Sequence, residues 1–524
     1  MSASRNALKR ILATTTAVVV LAGLAACSST TSSTPTSKRA ASLTTQFQGV
    51  PISLDPALGG SGGSAIFTAL AYDSLIYQTG DGKLIPDLAT KWVFGDNNKT
   101  LTLTLRKGVK FMDGTTVTAA AVKASMDYFL KAGGSNLGNV GPVDSVSTKG
   151  TDTVVVTYKT SFPDSASYLN QYYGLGEIIG PKGLANPKSL LTTSDGAGQY
   201  AFDSSASVAS SSYVYTRNKH YFNQSAQQYD KVTVKVIGDP SATLSAATTG
   251  QVDFASGSPS TASTATGAGL SIVKGPFFNW GLTFVDINGT LSAPLKSADV
   301  RQAIGYAIDR DGLAQASGAA YSHANGQAGN AGIDGYIKGY GFNHNVAKAK
   351  ALLAKAGYPN GFSLTVLTES VLDGQTIISQ AIASDLAKVG IKVNLVVKTS
   401  VPDFIGASLS QQYPAVIWPV VGANTGQVAR NFFVKGVNDP FSNTDSTLTG
   451  LYNDALSAST PAARTANFEK ITKEMNTLGW FIPVMSTDNV YLIGKKIGNV
   501  TASSLNPNPV PEAPVAQYAW TPKK

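Results

Sequence analysis

The segment Thr100-Leu101-Thr102-Leu103-Thr104-Leu105-Arg106-Lys107-Gly108-Val109-Lys110-Phe111-Met112-Asp113-Gly114-Thr115-Thr116-Val117-Thr118-Ala119 passes from strand to turn to helix in one short run. Thr and Leu alternate over 100–105, the period of a strand with one buried face and one wet face. Asp113-Gly114 follows Val109-Lys110-Phe111 and marks a turn. Thr118 then offers its side chain as a cap to a helix running from Ala119 towards Leu130.

The same succession continues on both sides. Thr153 to Tyr158 and Lys231 to Ile237 are β-rich runs, and Ala298 to Ile308 is helical. Val346 to Ala356 is helical too and stops at Gly357, with Pro359 just beyond. Phe362 to Leu367 predicts a strand, Thr376 to Val389 a helix and Lys392 to Val397 another strand. Strand–helix–strand spacing of this kind predicts α/β layers. A chain of 524 residues exceeds what one simple core organises, so two or three packed lobes are expected.

The start of the chain is of a different kind. Arg5, Lys9 and Arg10 form a basic region, Ile11 to Leu24 a short apolar one, and Leu24-Ala25-Ala26-Cys27 closes the segment with small residues before a cysteine. The apolar run is shorter than the roughly 20 residues that span a bilayer, and reads as a signal peptide over 1–26. Cys27 is the only cysteine in the chain. The bland reading is a chance residue near a cleavage site. The sharper reading is an acylated lipoprotein cysteine, carrying palmitate-type chains that hold the mature protein to the outer face of the cell membrane. Residues 27–42, rich in Ser and Thr, read as a tether, with order expected to begin near Leu43.

Charge excludes one class of partner. Without Arg5, Lys9 and Arg10 the chain keeps 38 basic residues against 32 acidic ones, a net +6 spread thinly. No basic run interleaved with aromatics marks a nucleic-acid surface, so no nucleic-acid partner is expected.

Three motifs suggest chemistry and fail on context. Gly59-Gly60-Ser61-Gly62-Gly63 formally matches a G-x-S-x-G nucleophile elbow, which makes a secreted serine hydrolase using Ser61 the reading from another class. Asp55-Pro56 interrupts the strand such an elbow requires, and a Gly/Ser tract matches by chance. Gly60, Gly62 and Ala65 give a loosened dinucleotide loop without a preceding strand. His220, His323 and His344 stand apart from any metal-ligand spacing, and neither Asp81-Gly82 nor Asp373-Gly374 carries a calcium ladder. No cofactor, metal or catalytic residue is expected. The chain reads as a binder.

The motifs in register along the chain carry a resemblance. Leu54-Asp55-Pro56-Ala57, then Tyr72-Asp73-Ser74-Leu75-Ile76-Tyr77 with Gly82, Pro86, Leu88-Ala89 and Trp92, then the segment from Leu105 to Lys123, resemble the family 5 extracellular solute-binding proteins. These are the oligopeptide- and dipeptide-binding components of ABC importers. Asp230-Lys231-Val232, Gly250-Gln251-Val252-Asp253, Asp299-Val300-Arg301-Gln302-Ala303-Ile304 and Ala307-Ile308-Asp309-Arg310 continue the match. Gly357-Tyr358-Pro359-Asn360-Gly361 and Trp480-Phe481-Ile482-Pro483 complete it. Arg106, Asp113 and Asp309 within these motifs read as ion-pair or capping residues, not ligand contacts.

The resemblance implies an α/β, two-lobed periplasmic-binding-protein-like fold of type II with an extra inserted domain. Lobe I would be discontinuous, from residues 43–65, 195–277 and 489–524. The inserted domain II would cover 66–194 and lobe III 278–488, with hinge strands near Phe277 to Phe284 and Val484 to Leu492. Ligand would sit between lobes. In the family a Trp followed three residues later by Asp reads a peptide ammonium; here Trp418 is followed by Val421. Either Asp403 or another acid substitutes, or the ligand lacks a free N-terminus. Trp418, Trp280 and Phe278 are the expected aromatic walls beside Phe277, with Asn279 and Asn424 as polar orienters. Packing of a hinge strand is the alternative role for Phe277, Phe278 and Trp280.

The function implied is capture of a peptide or peptide-like solute and delivery to an ABC permease with its ATPase, by a monomer anchored through lipid on Cys27. A non-peptide solute (aromatic, glycan or metal chelate) is the alternative on the same scaffold. A surface sensor or adhesin without transport is a further one.

Overall fold

Ser271–Phe284 and Phe481–Ile493 pair antiparallel along nearly their whole length, and the rest of the molecule is arranged at their two ends. The computed structural model describes residues 39–524 apart from 60, 61, 135, 319, 373, 435–437, 459 and 524. Expectations about the signal segment, Cys27 and Ser61 therefore fall outside the described residues.

The main sheet runs in the order Lys392–Lys398, Ser363–Glu369, Ala415–Val420, Ser271–Phe284, Phe481–Ile493, Phe254–Gly257, Ala40–Phe47, Tyr229–Val236, Ser212–Arg217, Tyr200–Val208. The two long strands are thus shared between two lobes. One lobe carries Ala415–Val420 and Ser363–Glu369; the other carries Phe254–Gly257 and Ala40–Phe47. Ser363–Glu369 and Lys392–Lys398 are parallel, because helix Gln375–Ala387 carries the chain back across the sheet between them. The fold is α/β and two-lobed.

Each body has its own core. Trp280, Leu282, Ile304, Val366, Ile382 and Ile417 are buried together in the lobe of the parallel strands. Leu43, Phe67, Tyr215, Val232, Phe254 and Trp520 fill the other. A separate four-stranded sheet, Ala89–Gly95, Thr100–Leu105, Thr153–Tyr158, Val143–Lys149, packs helix Ala119–Ala132 over a core of Leu101, Leu103, Phe111, Met126 and Val156.

The elements read from the sequence form for the reasons anticipated. Leu101, Leu103 and Leu105 are buried while the intervening threonines are half-exposed. Gly114 adopts φ +89° in the turn after Phe111, and the Thr118 side chain accepts from the Ala121 N–H. Asp309 likewise caps the helix Arg310–Ala316 by accepting from Gly312. Arg106 donates to the Asp87 carbonyl and lies over the Phe222 ring. Arg310, buried, donates to the carbonyls of Pro483, Gly305 and Ile308, tying its lobe to the second long strand.

One boundary differs. The first strand starts at Ala40, ahead of the expected onset near Leu43, because Arg39 and Ala40 are already bonded to Gln227, Gln224 and Gln228. Pairing to a distant strand, which local composition does not report, sets the start of the strand at Ala40.

Candidate functional site

Phe277 sits where Ser271–Phe284 passes between the lobes, beside a register shift between Pro276 and Phe278. It lines a cavity of about 220 Å³. The second lobe contributes the loop Val421-Gly422-Ala423, Gln427 and Asn431 of helix Thr425–Phe432, and Asn330. Opposite stand Tyr172 and Tyr173, and the C-terminal segment closes the wall with residues 504–508. Segments far apart in sequence converge here with amides and aromatic rings, the composition of a solute pocket.

Amide orientations follow from the bonds they make. Asn330 donates its NH₂ to the Phe277 carbonyl at 2.8 Å, and Asn506 donates to the Thr79 carbonyl at 3.0 Å. Their side-chain oxygens accept nothing from the protein. Gln427 accepts from the Ala423 N–H, which holds the loop after Val421 against the helix. Gln78 donates to the Leu505 carbonyl and so fixes the C-terminal segment against the opposite wall.

Beside this cavity a set of contacts joins the segment 161–168 to helices Thr425–Phe432, Ser446–Leu456 and Pro461–Leu478. Arg464 of helix Pro461–Leu478 meets Asp164 at 2.9 Å, with about a fifth to a quarter of each side chain exposed. Ser161 donates to the Leu456 carbonyl at 2.6 Å. The Arg430 guanidinium stands 6.0 Å from the centre of the Tyr168 ring. Burial raises the Asp164 carboxyl above its ordinary range, and the facing Arg464 pulls it back only in part. The body of the four-stranded sheet is in contact with these helices on this side.

The predicted site residues do not gather in one place. Val421 lines the cavity, as does Phe277. Phe278 and Trp280 face the other side of the strand pair, into a second cavity of about 310 Å³ with Met485 and Leu372; the Trp280 indole N–H donates to Thr487 there. Trp418 stacks on Phe404 at 4.5 Å between ring centres, over the helix Val401–Ser408. Asn279 is buried, bonded to Gln327 and Asn325. Asn424 caps helix Thr425–Phe432 through Gln427 N–H, beside Asp164. Asp403, the possible replacement for a missing carboxylate, is exposed and bonded to Ser400 at its helix start. Sequence reading missed Tyr172, Tyr173, Asn330 and the Asn506-Pro507-Asn508 run. The only signals were an aromatic doublet and Asn-rich loop chemistry, which turns share.

No group of His, Cys, Asp and Glu among the described residues is arranged to hold a metal ion. Among them too, no helix is long and apolar enough to cross a membrane.

Fold and cleft together are those of a two-lobed solute-binding protein. Residues 83–433 match the family described as bacterial extracellular solute-binding proteins, family 5 Middle, and the chain belongs to that family. It is 28% identical over 354 residues to the glutathione-binding protein GsiB of Pectobacterium atrosepticum, covering 66% of each chain. It is 27% identical over 363 residues to a probable D,D-dipeptide-binding periplasmic protein, DdpA, of Escherichia coli K12, covering 66% of this chain and 68% of that one. The match spans slightly under two-thirds of the GsiB length. In structure the chain resembles the binding protein AgaA in complex with agropinic acid from A. tumefacien R10, with a TM-score of 0.76, 24% identity, and 92% of this chain and 99% of that one covered.

Proposed function

We propose that this protein is the extracytoplasmic solute-binding component of an ABC importer, which captures a peptide or peptide-like solute between its lobes and passes it to a permease powered by an ATPase. The observation that carries the reading is the cavity walled by Phe277, Val421, Asn330, Tyr172 and Asn506, drawn from segments on both sides of the shared strands. Solute bound there touches both bodies, so binding and closure are one equilibrium. Relatives named for glutathione and dipeptide binding support a small peptide-like ligand. The reading also takes 66–194 as an inserted domain, 278–488 as lobe III and the remaining ordered segments as lobe I. A signal peptide and a lipid on Cys27 would keep the monomer at the membrane.

Val421→Trp, which fills the cavity, tests the assignment. Uptake of labelled solute by cells expressing the importer should fall to background while the purified variant keeps its circular dichroism and melting temperature. Undiminished uptake by a folded variant would remove the cavity from the function.

A further inference from the structure

We infer that the cleft takes an uncharged solute: a small molecule with hydroxyl or amide groups that lays an apolar face on aromatic rings. This deepens the proposed capture function and rests on it. The cavity wall holds no Asp, Glu, Lys, Arg or His among the described residues. Its polar groups are all neutral, amides such as those of Gln78, Gln427 and Asn431 together with hydroxyls of Tyr and Ser. An ammonium or carboxylate enclosed there would lose its hydration with no opposite charge to meet, a cost far above that of a hydrogen-bonded neutral group.

The neighbouring charges are engaged elsewhere. Asp164 and Arg464 hold each other at 2.9 Å. Arg430 faces the adjoining small cavity with Tyr168 and donates its Nε–H to Asn431. Asp403 is on an exposed helix start.

The wall is also held in shape by neutral groups. The Asn330 and Asn506 NH₂ groups are held by the backbone carbonyls of Phe277 and Thr79, so both amides brace the wall without bringing charge to it. Both residues are more than nine-tenths buried. Phe277, Tyr172 and Tyr173 supply flat surface for a sugar ring or an unionised amide. A neutral sugar and an end-blocked peptide share this chemistry.

Calorimetric titration of the mature protein with four probes tests the inference: cellobiose, N-acetyl-alanyl-alanine amide, free dialanine and free trialanine. The expected result is binding of at least one of the first two at ten-fold or greater preference over both free peptides, and which of the two binds separates sugar from blocked peptide. Asn506→Leu and Asn330→Leu should each weaken that binding ten-fold or more, Asp403→Asn should leave it within two-fold, and Val421→Asp should shift preference towards free dialanine. Free peptides binding as well as the neutral probes, or loss of binding in Asp403→Asn, overturns the uncharged-ligand inference while leaving solute capture standing. Absence of binding by all four probes overturns the inference, and undiminished uptake by Val421→Trp separately overturns the capture reading.

Discussion

Arg464→Met should loosen the closed arrangement far more than Asp164→Asn, although the two residues form one ion pair. The pair joins Asp164 to helix Pro461–Leu478 beside the cavity at 2.9 Å, with side chains 24% and 20% exposed. Exposed pairs contribute about 0.2–1 kcal/mol, and removing one partner of a fully buried pair costs about 3–5 kcal/mol. This pair lies between, so losing Arg464 should cost the closed state about 1.5–2 kcal/mol, roughly ten- to thirty-fold in its population. The asymmetry comes from Asp164. Its carboxyl is raised by burial more than Arg464 lowers it, so the ionised acid is already a net cost to closure. An amide in its place removes that cost and still accepts from Arg464. The sign for pH follows: a carboxyl whose affinity for protons is higher closed than open favours closure as pH falls, so acidification should tighten the closed form. Small-angle scattering on wild type, both single variants and the double variant gives the closed fraction, and ligand titration gives its consequence, since apparent affinity scales with that fraction. We expect Asp164→Asn within about two-fold of wild type and the double variant close to Asp164→Asn alone. If Asp164→Asn opens the protein as much as Arg464→Met, the reasoning fails.

Three further outcomes follow from named contacts. Burial pushes the Glu512 carboxyl up to about 8 from an ordinary 4.5, so the folded chain holds a proton that the unfolded chain releases at lower pH. The Glu512 contribution to stability should be full below pH 4.5 and decline towards pH 8, at no more than about 1.4 kcal/mol per pH unit. Glu512→Gln should flatten this slope and Asp87, raised to about 7, should keep a smaller one; calorimetric melting that rises between pH 5 and pH 8 would contradict the account. Trp418→Ala removes the ring stacked on Phe404 and should cost about 2 kcal/mol of fold stability, below the range for a fully buried Trp because the side chain is half-buried. Its ligand affinity should stay within two-fold, and a ten-fold loss without a drop in melting temperature would return Trp418 to the site. Cys27→Ser should move the mature protein from the membrane fraction to the soluble one, and an unchanged distribution on fractionation would argue against acylation.

Much of the scaffold was legible because its signals are local. Leu101, Leu103 and Leu105 alternate whatever they pack against, Gly114 closes a turn that needs a positive φ, and Thr118 and Asp309 cap helices through atoms three residues away. These contacts depend on neighbours in the chain, so composition and spacing report them. Motifs built from them also revealed the family.

Which side of a shared strand each aromatic faces is another matter. Phe277, Phe278 and Trp280 alternate in any strand, yet pairing with Phe481–Ile493 and the shift after Pro276 decide that Phe277 enters the cleft while the other two turn to the opposite cavity. Trp418 points to Phe404 because Ala415–Val420 pairs with Ser271–Phe284 in one register, and Val421, just past the strand end, reaches the wall instead. Tyr172, Asn330 and Asn506 meet only after three separate segments fold over one another. The amino-acid order fixes what each stretch can become; the meeting of distant stretches decides what a solute touches, because packing between them leaves no periodic trace in any one of them.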